Sequence, residues 1–217
     1  MENGSACDAG SCVPPSRREA RRETRRDTIL EVAGRTFLEH GYAGTTMSGI
    51  AAKLGGSKGT LWNYYPSKEV LFGAVLDRAT AAFREQLTLT LSPDDPIETA
   101  LTKFCTKFLG KLTMPESLAL HRLVVGEAAR FPEMGRIFYE RAPWKTQELL
   151  ACYLEQAAEK GLIRCDDPFA AAQYLTSLCT ARAQQQLLTR VIDTIPPDRI
   201  REEVADAVAV FLRAFRP

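Results

Sequence analysis

Arginine doublets are the residues whose types and spacing most directly indicate a chemical role. Residues 17–26 contain six arginines and two glutamates, and the doublets repeat every four residues. Guanidinium groups bind phosphate oxygens through planar pairs of N–H donors. The same spacing is also typical of a solvated helix start held by Glu–Arg pairs. The segment therefore predicts either a phosphate-binding arm or an exposed, ion-paired first turn.

Side chains that could catalyse a reaction are few and poorly spaced. His40 and His121 are the two histidines, and neither has a glutamate three residues before it, as a carboxylate metal bundle requires. No HExxH or GxxxxGK[ST] motif occurs, and no cysteine pair has CxxC spacing. We therefore expect no enzyme, no metal site and no cofactor.

Composition indicates an ordinary globular chain. It has 217 residues, 45% of them hydrophobic and 25% charged, and no apolar run approaches the 18 residues of a membrane span. The N-terminus lacks a secretory signal, and three of the six cysteines, Cys105, Cys152 and Cys179, fall in helical patterns, as in a reduced cytoplasmic protein. The remaining alternative for the cysteines is a redox-sensing thiol.

Charge is distributed unevenly along the chain. Residues 17–68 contain ten basic and five acidic side chains, which gives a local charge of +5. Residues 69–217 contain 18 basic and 20 acidic side chains, a local charge of −2. A basic N-terminal region on a mildly acidic body predicts that one end of the chain contacts a polyanion.

Two short helices flank a glycine-containing turn in the N-terminal part of the chain. Thr46 is a suitable N-cap for the first helix and Ser57 for the second. The small Ala51 lets the two helices cross closely, Gly55 permits the turn, and Leu61 packs one helix onto the other. This arrangement predicts a helix-turn-helix, whose second helix enters the major groove of DNA.

Helical periodicity continues almost to the C-terminus, so the predicted class is all-α. The alternating stretch at 86–91 has no partner strand and is interpreted as the fraying end of a helix. Two C-terminal helices with broad apolar faces predict pairing with a second copy as a four-helix bundle. We expect helices at about 27–40, 46–54, 58–65, 67–91, 97–112, 116–131, 133–160 (kinked or broken at Pro143), 168–192 and 198–215.

Residues 26–75 closely resemble the TetR family of transcriptional regulators. The resemblance lies in Thr45-Thr46-Met47, Ile50-Ala51 and the run from Leu54 to Glu69. The segment Leu123–Glu133, followed by Phe138-Tyr139-Glu140, is similar to the ligand-binding half of AefR-like members. The resemblance implies a leader at 1–16, a helix-turn-helix domain at 17–66, and a helical effector-binding and dimerisation domain at 67–217.

The resemblance also implies which residues contact DNA. Lys58, Gly59, Trp62 and Asn63 would face bases, and Asn63 could pair with adenine. Trp62 stands where the family usually has tyrosine, so that contact differs here. An alternative for Trp62 and Tyr64 is ordinary aromatic core, which we expect for Tyr65. The full set assigned to DNA is Arg21, Arg22, Arg25, Thr45, Thr46, Lys58, Gly59, Thr60, Trp62, Asn63, Tyr64 and Lys68.

The helices between residues 97 and 160 carry the candidate effector residues. An apolar pocket with a few polar groups, for which His121, Glu127 and Gln147 are candidates, is typical of small-molecule sites. For each residue separately, a place in the packed core is the alternative. The residues assigned to the effector are Phe104, Phe108, His121, Val125, Phe138 and Trp144.

The expected function is therefore a repressor that binds a palindromic DNA operator as a homodimer. Helices 168–192 and 198–215 would form the dimer, and a small apolar effector would release the DNA. Alternatives are an activator of the same fold and a regulator that responds through a cysteine thiol. A helical adaptor that binds only protein is disfavoured by the basic segment and the helix-turn-helix.

Overall fold

The computed structural model describes residues 16–55 and 58–217. Within these ranges every regular element is an α-helix, which confirms the all-α class. The expected leader lies outside the described residues up to position 15, as does the predicted cap Ser57. The helices are α1 (Arg17–Gly44), α2 (Met47–Lys53), α3 (Lys58–Tyr64), α4 (Lys68–Thr88), α5 (Ile97–Leu112), α6 (Pro115–Glu127), α7 (Pro132–Arg141), α8 (Pro143–Glu159), α9 (Pro168–Thr180), α10 (Ala183–Leu188) and α11 (Pro197–Ala214).

Polar caps and prolines set most of the helix starts. Thr46 and Ser67 each accept a hydrogen bond from the backbone N–H three residues later, at 3.0 Å and 3.3 Å, which confirms Thr46 as the N-cap of α2. Ser16 and Glu19 form a reciprocal capping box at the start of α1. Proline begins α6, α7, α8, α9 and α11. The break expected at Pro143 is confirmed, because α7 ends two residues before it.

The single helix predicted at 168–192 is wrong. The backbone of Arg182, with φ −114° and ψ −89°, separates α9 from α10. The Glu203 carboxylate, 5% exposed, accepts hydrogen bonds from Ala183 N and from Arg199 Nε, both at 3.0 Å. This buried carboxylate caps the N-terminus of α10 and stabilises the break. Because Glu203 is twenty residues away in the chain, helical periodicity gave no indication of it.

Two hydrophobic cores are joined through α4. The first half of α4 contributes Leu71, Phe72 and Leu76 to a core that α1, α2 and α3 share with α6 and α7. Leu87, near the other end of α4, belongs to a second core formed by α5, α8, α9 and α11. The boundary predicted at residue 66 thus falls at the start of a helix that packs in both cores.

Candidate DNA interface and effector cavity

The helix-turn-helix comprises α2 and α3, each with one buried face. Ile50, Ala51 and Leu61 are at most 2% exposed, and Gly55 turns the chain with φ +62°. Trp62 lies on the outer face of α3 with 37% of its surface exposed, and Asn63 beside it is also exposed. The buried face therefore positions α3, while its outer face is accessible to a partner.

The C-terminal end of α3 is attached to α1. Tyr65 is 2% exposed, as expected of a core residue, and its hydroxyl accepts a hydrogen bond from Arg26 Nε at 3.2 Å. The guanidinium of Arg22 lies 6.0 Å from the ring centroid of the half-buried Tyr64. The arginine segment and α3 therefore form one surface.

The arginine segment is the helical start of α1. Arg21 and Arg22 are exposed, and Arg25 is partly buried. None of the ion pairs within residues 16–55 and 58–217 involves an arginine before Arg35. Instead of pairing with arginine, Glu19 accepts a hydrogen bond from Ser16 N at 2.8 Å. The Glu–Arg ion pairs of the alternative interpretation are therefore not formed here.

Thr45 requires a correction among the residues assigned to DNA. It is 1% exposed, and its hydroxyl is 2.7 Å from the carbonyl oxygen of Gly41, to which it donates. A buried hydroxyl that already donates within the chain cannot reach a phosphate, so Thr45 stabilises the turn between α1 and α2. Thr46 and Gly59 are exposed, Thr60 is partly buried, and the Lys58 side chain lies outside the described part of the chain.

Lys68 is also placed differently from the expected phosphate contact. Its ammonium donates a hydrogen bond to the carbonyl oxygen of Tyr42 at 3.0 Å and lies 4.0 Å from the centroid of the Tyr42 ring. Both contacts hold the first turn of α4 against the end of α1. These contacts give Lys68 a role in positioning the helix-turn-helix, and its assignment to DNA stays a prediction.

Glu127, expected as a polar group of the pocket, instead holds the turn between α1 and α2. Its carboxylate accepts hydrogen bonds from the backbone N–H groups of Tyr42 at 2.9 Å and Ala43 at 2.7 Å. Gly41 precedes them with φ +73°, and a Cβ there would lie 2.4 Å from Glu127 Oε1. The last residue of α6 is thus bonded to the segment that enters the helix-turn-helix. We call this contact the Glu127 clasp.

A cavity of about 390 Å³ lies between the two cores. Phe108, His121 and Phe138, three of the six residues assigned to the effector, line it, and so does Gln147. Helices α1 and α4 were not expected at the cavity, and they add Phe37, Leu38 and a stripe of four side chains. That stripe, at helical spacing on α4, consists of Phe72, Leu76, Ala79 and Phe83.

The other three residues assigned to the effector do not line this cavity. Phe104 lies fully buried in the second core, stacked on Phe108 at a centroid distance of 5.9 Å. Val125 is 67% exposed. Trp144 is 38% exposed and packs on Phe169 at a centroid distance of 4.5 Å. A rotation of a helix by a few tens of degrees about its own axis decides whether such a residue faces the cavity. Helical periodicity in the sequence does not specify this rotation.

Burial determines the charge state of the cavity's histidine. Desolvation lowers the pKa of His121, so its imidazole is neutral at pH 7. The ring meets Phe138 edge-on at a centroid distance of 6.1 Å. Charged side chains of the lining are Lys111, partly buried, and Glu116, exposed.

Three of the four cysteines that the structure describes lie in environments that do not favour a redox site, and the fourth, Cys152, is exposed. Cys105 and Cys179 are buried in the second core, and the hydrogen bond between their thiols, together with burial, raises the pKa of Cys105. Burial also raises the pKa of Cys165. Since the thiolate is the reactive form, these environments oppose reaction. Cys7 and Cys12 lie outside the described residues.

Residues 16–55 and 58–217 contain no helix that is long and apolar enough to cross a membrane. They also contain no group of three or more histidine, cysteine, aspartate or glutamate side chains that could hold a metal ion.

Both parts of the chain match family models. Residues 29–75 match the model of bacterial regulatory proteins of the tetR family. Residues 99–217 match the C-terminal domain of AefR-like transcriptional repressors. The first match contains the helix-turn-helix, and the second covers α6 to α11 and most of α5.

Individual proteins show the same similarity. The transcriptional repressor ComR of Escherichia coli is 32% identical over 133 residues, which are 61% of this chain and 63% of ComR. A solved TetR-family regulator from Mesorhizobium loti superposes with a TM-score of 0.78 at 27% identity, covering 90% of this chain and 98% of that one. The flavonoid-responsive regulator FrrA gives a TM-score of 0.76 at 31% identity with the same coverage.

Proposed function

The chain belongs to the TetR family of transcriptional regulators, and we propose that it is a repressor that binds a palindromic operator as a homodimer. Proteins of this family are DNA-binding regulators rather than enzymes. Repression is supported by the AefR-like C-terminal domain and by the related repressor ComR. A protein with this role works where the bacterial chromosome is, in the cytoplasm.

The observation that carries the proposal is the shared surface of α1 and α3. Exposed arginines of α1 lie beside the exposed outer face of α3, and Arg26 joins the two helices through Tyr65. In the proposed complex α3 lies in the major groove, where Trp62 and Asn63 meet base edges and Gly59 allows close approach of the backbone. Phosphates are contacted by Thr46, Thr60, Tyr64 and the arginines of α1.

Exposed apolar side chains support the proposed dimer. Tyr174 and Leu178 on α9 are 60% and 36% exposed, and Val210 on α11 is 41% exposed. A second copy that covers these helices would form the four-helix bundle expected from the sequence. Two α3 helices would then meet operator half-sites about one DNA turn (~34–36 Å) apart.

The Glu127 clasp supports a mechanism in which α6 couples effector binding in the cavity to the position of the helix-turn-helix. Helix α6 contributes Leu120 and His121 to the cavity and ends at Glu127, which holds the turn before α2. His121 and Glu127 are six residues apart, about 9 Å along the helix axis. A small apolar effector that favours a different position of α6 would therefore move both recognition helices and release the DNA.

Operator binding can be tested with two tryptophan variants. We expect the protein to bind DNA from upstream of its own gene, and Trp62→Ala to weaken that binding at least tenfold, because it removes a side chain from the DNA-facing surface. The control is Trp144→Ala, since Trp144 is 38% exposed, almost the same as Trp62, but lies outside the proposed interface. Fluorescence anisotropy of labelled DNA measures both. Absence of binding at every salt concentration, or equal weakening by both variants, would contradict the proposal.

The clasp predicts an effect of Glu127→Gln on DNA affinity. The two N–H groups bond to different carboxylate oxygens, and in glutamine one of these oxygens is replaced by an NH2 donor, so one of the two hydrogen bonds is lost in this geometry. We expect about 1–3 kcal/mol less stability and roughly tenfold weaker operator binding, measured by thermal unfolding and anisotropy. Glu140→Gln removes the same charge from the exposed face of α7 and should leave both unchanged. If the Glu127→Gln variant bound the operator as tightly as the wild type, the proposed coupling through Glu127 would be refuted.

A further inference from the structure

Aromatic rings dominate the wall of the cavity. Five phenylalanines from four helices line it: Phe37, Phe72, Phe83, Phe108 and Phe138. Aromatic pairs in offset or edge-to-face arrangements add about 0.5–1.5 kcal/mol beyond the burial of their area. A volume of about 390 Å³ lies within the range of small-molecule sites. The wall therefore suits a small aromatic molecule.

The hydroxyl protons of the threonines that line the cavity are already engaged in hydrogen bonds within the protein. The hydroxyls of Thr80 and Thr146 donate to carbonyl oxygens four residues earlier in their own helices, at 2.8 Å and 3.1 Å. Thr176 and Thr180 do the same at 2.9 Å and 3.0 Å. A hydroxyl whose single proton is engaged offers a ligand only acceptor lone pairs. The oxygen of Thr80 already accepts a hydrogen bond from Arg84 Nη1. The other three threonines therefore favour a ligand that donates hydrogen bonds.

Gln147 adds an unused acceptor to the same wall. Its Oε1 is buried and has no hydrogen-bond partner. Among the residues that the structure describes, no other buried side-chain oxygen or nitrogen lacks a partner. Such a group costs about 1–3 kcal/mol relative to a satisfied one. A donor on the ligand would recover this cost.

The charges of the lining favour an uncharged ligand. His121 is neutral at pH 7, and Lys111 and Glu116 are of opposite sign, so the lining has no net charge. An ionised ligand would lose its hydration without gaining a dedicated counter-charge, which is costly in an apolar site.

We propose that the cavity binds uncharged aromatic molecules that carry a hydroxyl group, and that this hydroxyl donates a hydrogen bond to Gln147 Oε1. The phenylalanine rings hold the aromatic part, and the threonine oxygens accept from further hydroxyls. This inference deepens the proposed function, since it names the chemical class of the effector. It nevertheless concerns ligand binding alone, which can be measured without DNA.

Three probes with the same ring system test the proposal: 2-naphthol, 2-methoxynaphthalene and 2-naphthoate. At pH 7 the first is an uncharged donor, the second has no donor, and the third is an anion. Isothermal titration calorimetry on the full chain should give about tenfold tighter binding of 2-naphthol than of 2-methoxynaphthalene, and still weaker binding of 2-naphthoate. Equal affinities for the first two, tightest binding of the anion, or no binding of 2-naphthol would each overturn the proposal.

The role of Gln147 is tested with Gln147→Met, which keeps the length of the side chain and removes its polar atoms. We expect this variant to lose the preference for 2-naphthol over 2-methoxynaphthalene while binding the latter at least as well as the wild type. The matched control is Gln156→Met, because Gln156 lies on the same helix and is exposed to solvent. A preference that survives in Gln147→Met would refute the assignment of this oxygen.

Failure of the ligand class and failure of the regulatory role give different results. If 2-naphthol binds with the expected preference but leaves operator affinity unchanged, the ligand class stands and the proposed release mechanism fails. If operator binding behaves as proposed but 2-naphthol does not bind, the regulatory role stands and the ligand class fails.

Discussion

Replacing Arg21, Arg22 and Arg25 together with glutamine is expected to weaken operator binding about ten-thousandfold at 0.15 M salt. Each phosphate contact contributes about −0.9 to the slope of log affinity against log salt concentration, so losing three per protomer, and hence six in the dimer, should reduce the slope by about 5.4. At 0.15 M salt this corresponds to roughly fivefold in affinity per contact. Glutamine has nearly the helix propensity of arginine, so α1 should persist. Anisotropy titrations between 0.05 and 0.3 M salt would measure both quantities.

The control removes the same charge from the body of the protein. Arg136, Arg164 and Arg216 are exposed and lie outside the proposed interface, so their replacement with glutamine should leave the salt slope unchanged. If the Arg21, Arg22 and Arg25 variant kept its slope, the segment would be only a solvated helix start, the alternative that the sequence left open.

Gly41→Ala is expected to destabilise the protein by about 3 kcal/mol or more and to abolish tight operator binding. The left-handed conformation at φ +73° costs an L-residue about 1–2 kcal/mol. The new Cβ would also lie 2.4 Å from Glu127 Oε1, so the carboxylate must move away from Tyr42 N and Ala43 N. Each hydrogen bond to a charged group contributes about 1.5–3 kcal/mol. Thermal unfolding should show a midpoint about 6–12 °C lower.

Gly126→Ala is the matched control for Gly41→Ala. A Cβ at Gly126 has no neighbour within 4 Å, and the residue lies in α6 directly before Glu127. Alanine should stabilise a helix at such a site by about 0.5–1 kcal/mol. A double variant, Gly41→Ala with Glu127→Ala, separates the two causes, because it removes the clash but keeps the backbone strain. Gly41→Ala should therefore lower the stability less in the Glu127→Ala background than in the wild type. If the loss of stability were the same in both backgrounds, the clash would not be its cause.

Local residue patterns were sufficient to predict much of the N-terminal region. Thr46 caps α2, Gly55 has a positive φ, and Tyr65 is buried, as their types and spacing indicated. These features depend on interactions within a few residues, namely a side-chain oxygen and a nearby N–H or the conformational freedom of glycine. Pro143 ended a helix for the same reason, since its ring conflicts with the preceding turn.

Interactions distant in the chain were not predictable from such patterns. Thr45 was assigned to DNA with Thr46, but it packs inward, and Lys68 bonds to Tyr42 instead of remaining free. Glu203 caps a break in a segment whose apolar periodicity predicted a single helix. Lys68 and Tyr42 are 26 residues apart in the chain, and Glu203 and Ala183 are 20 residues apart.

By itself, the sequence determined the all-α class, the helix-turn-helix with its basic arm, and the family, because each is encoded in local spacing and composition. The tertiary structure alone decided which side chains share the cavity and how it connects to the DNA-binding helices. Phe104 and Phe108 are equally apolar and one turn apart, yet only Phe108 lines the cavity. The Glu127 clasp joins residues 85 positions apart. The physical reason is that periodicity specifies one apolar face per helix, whereas the rotation and crossing of helices arise from packing the whole chain.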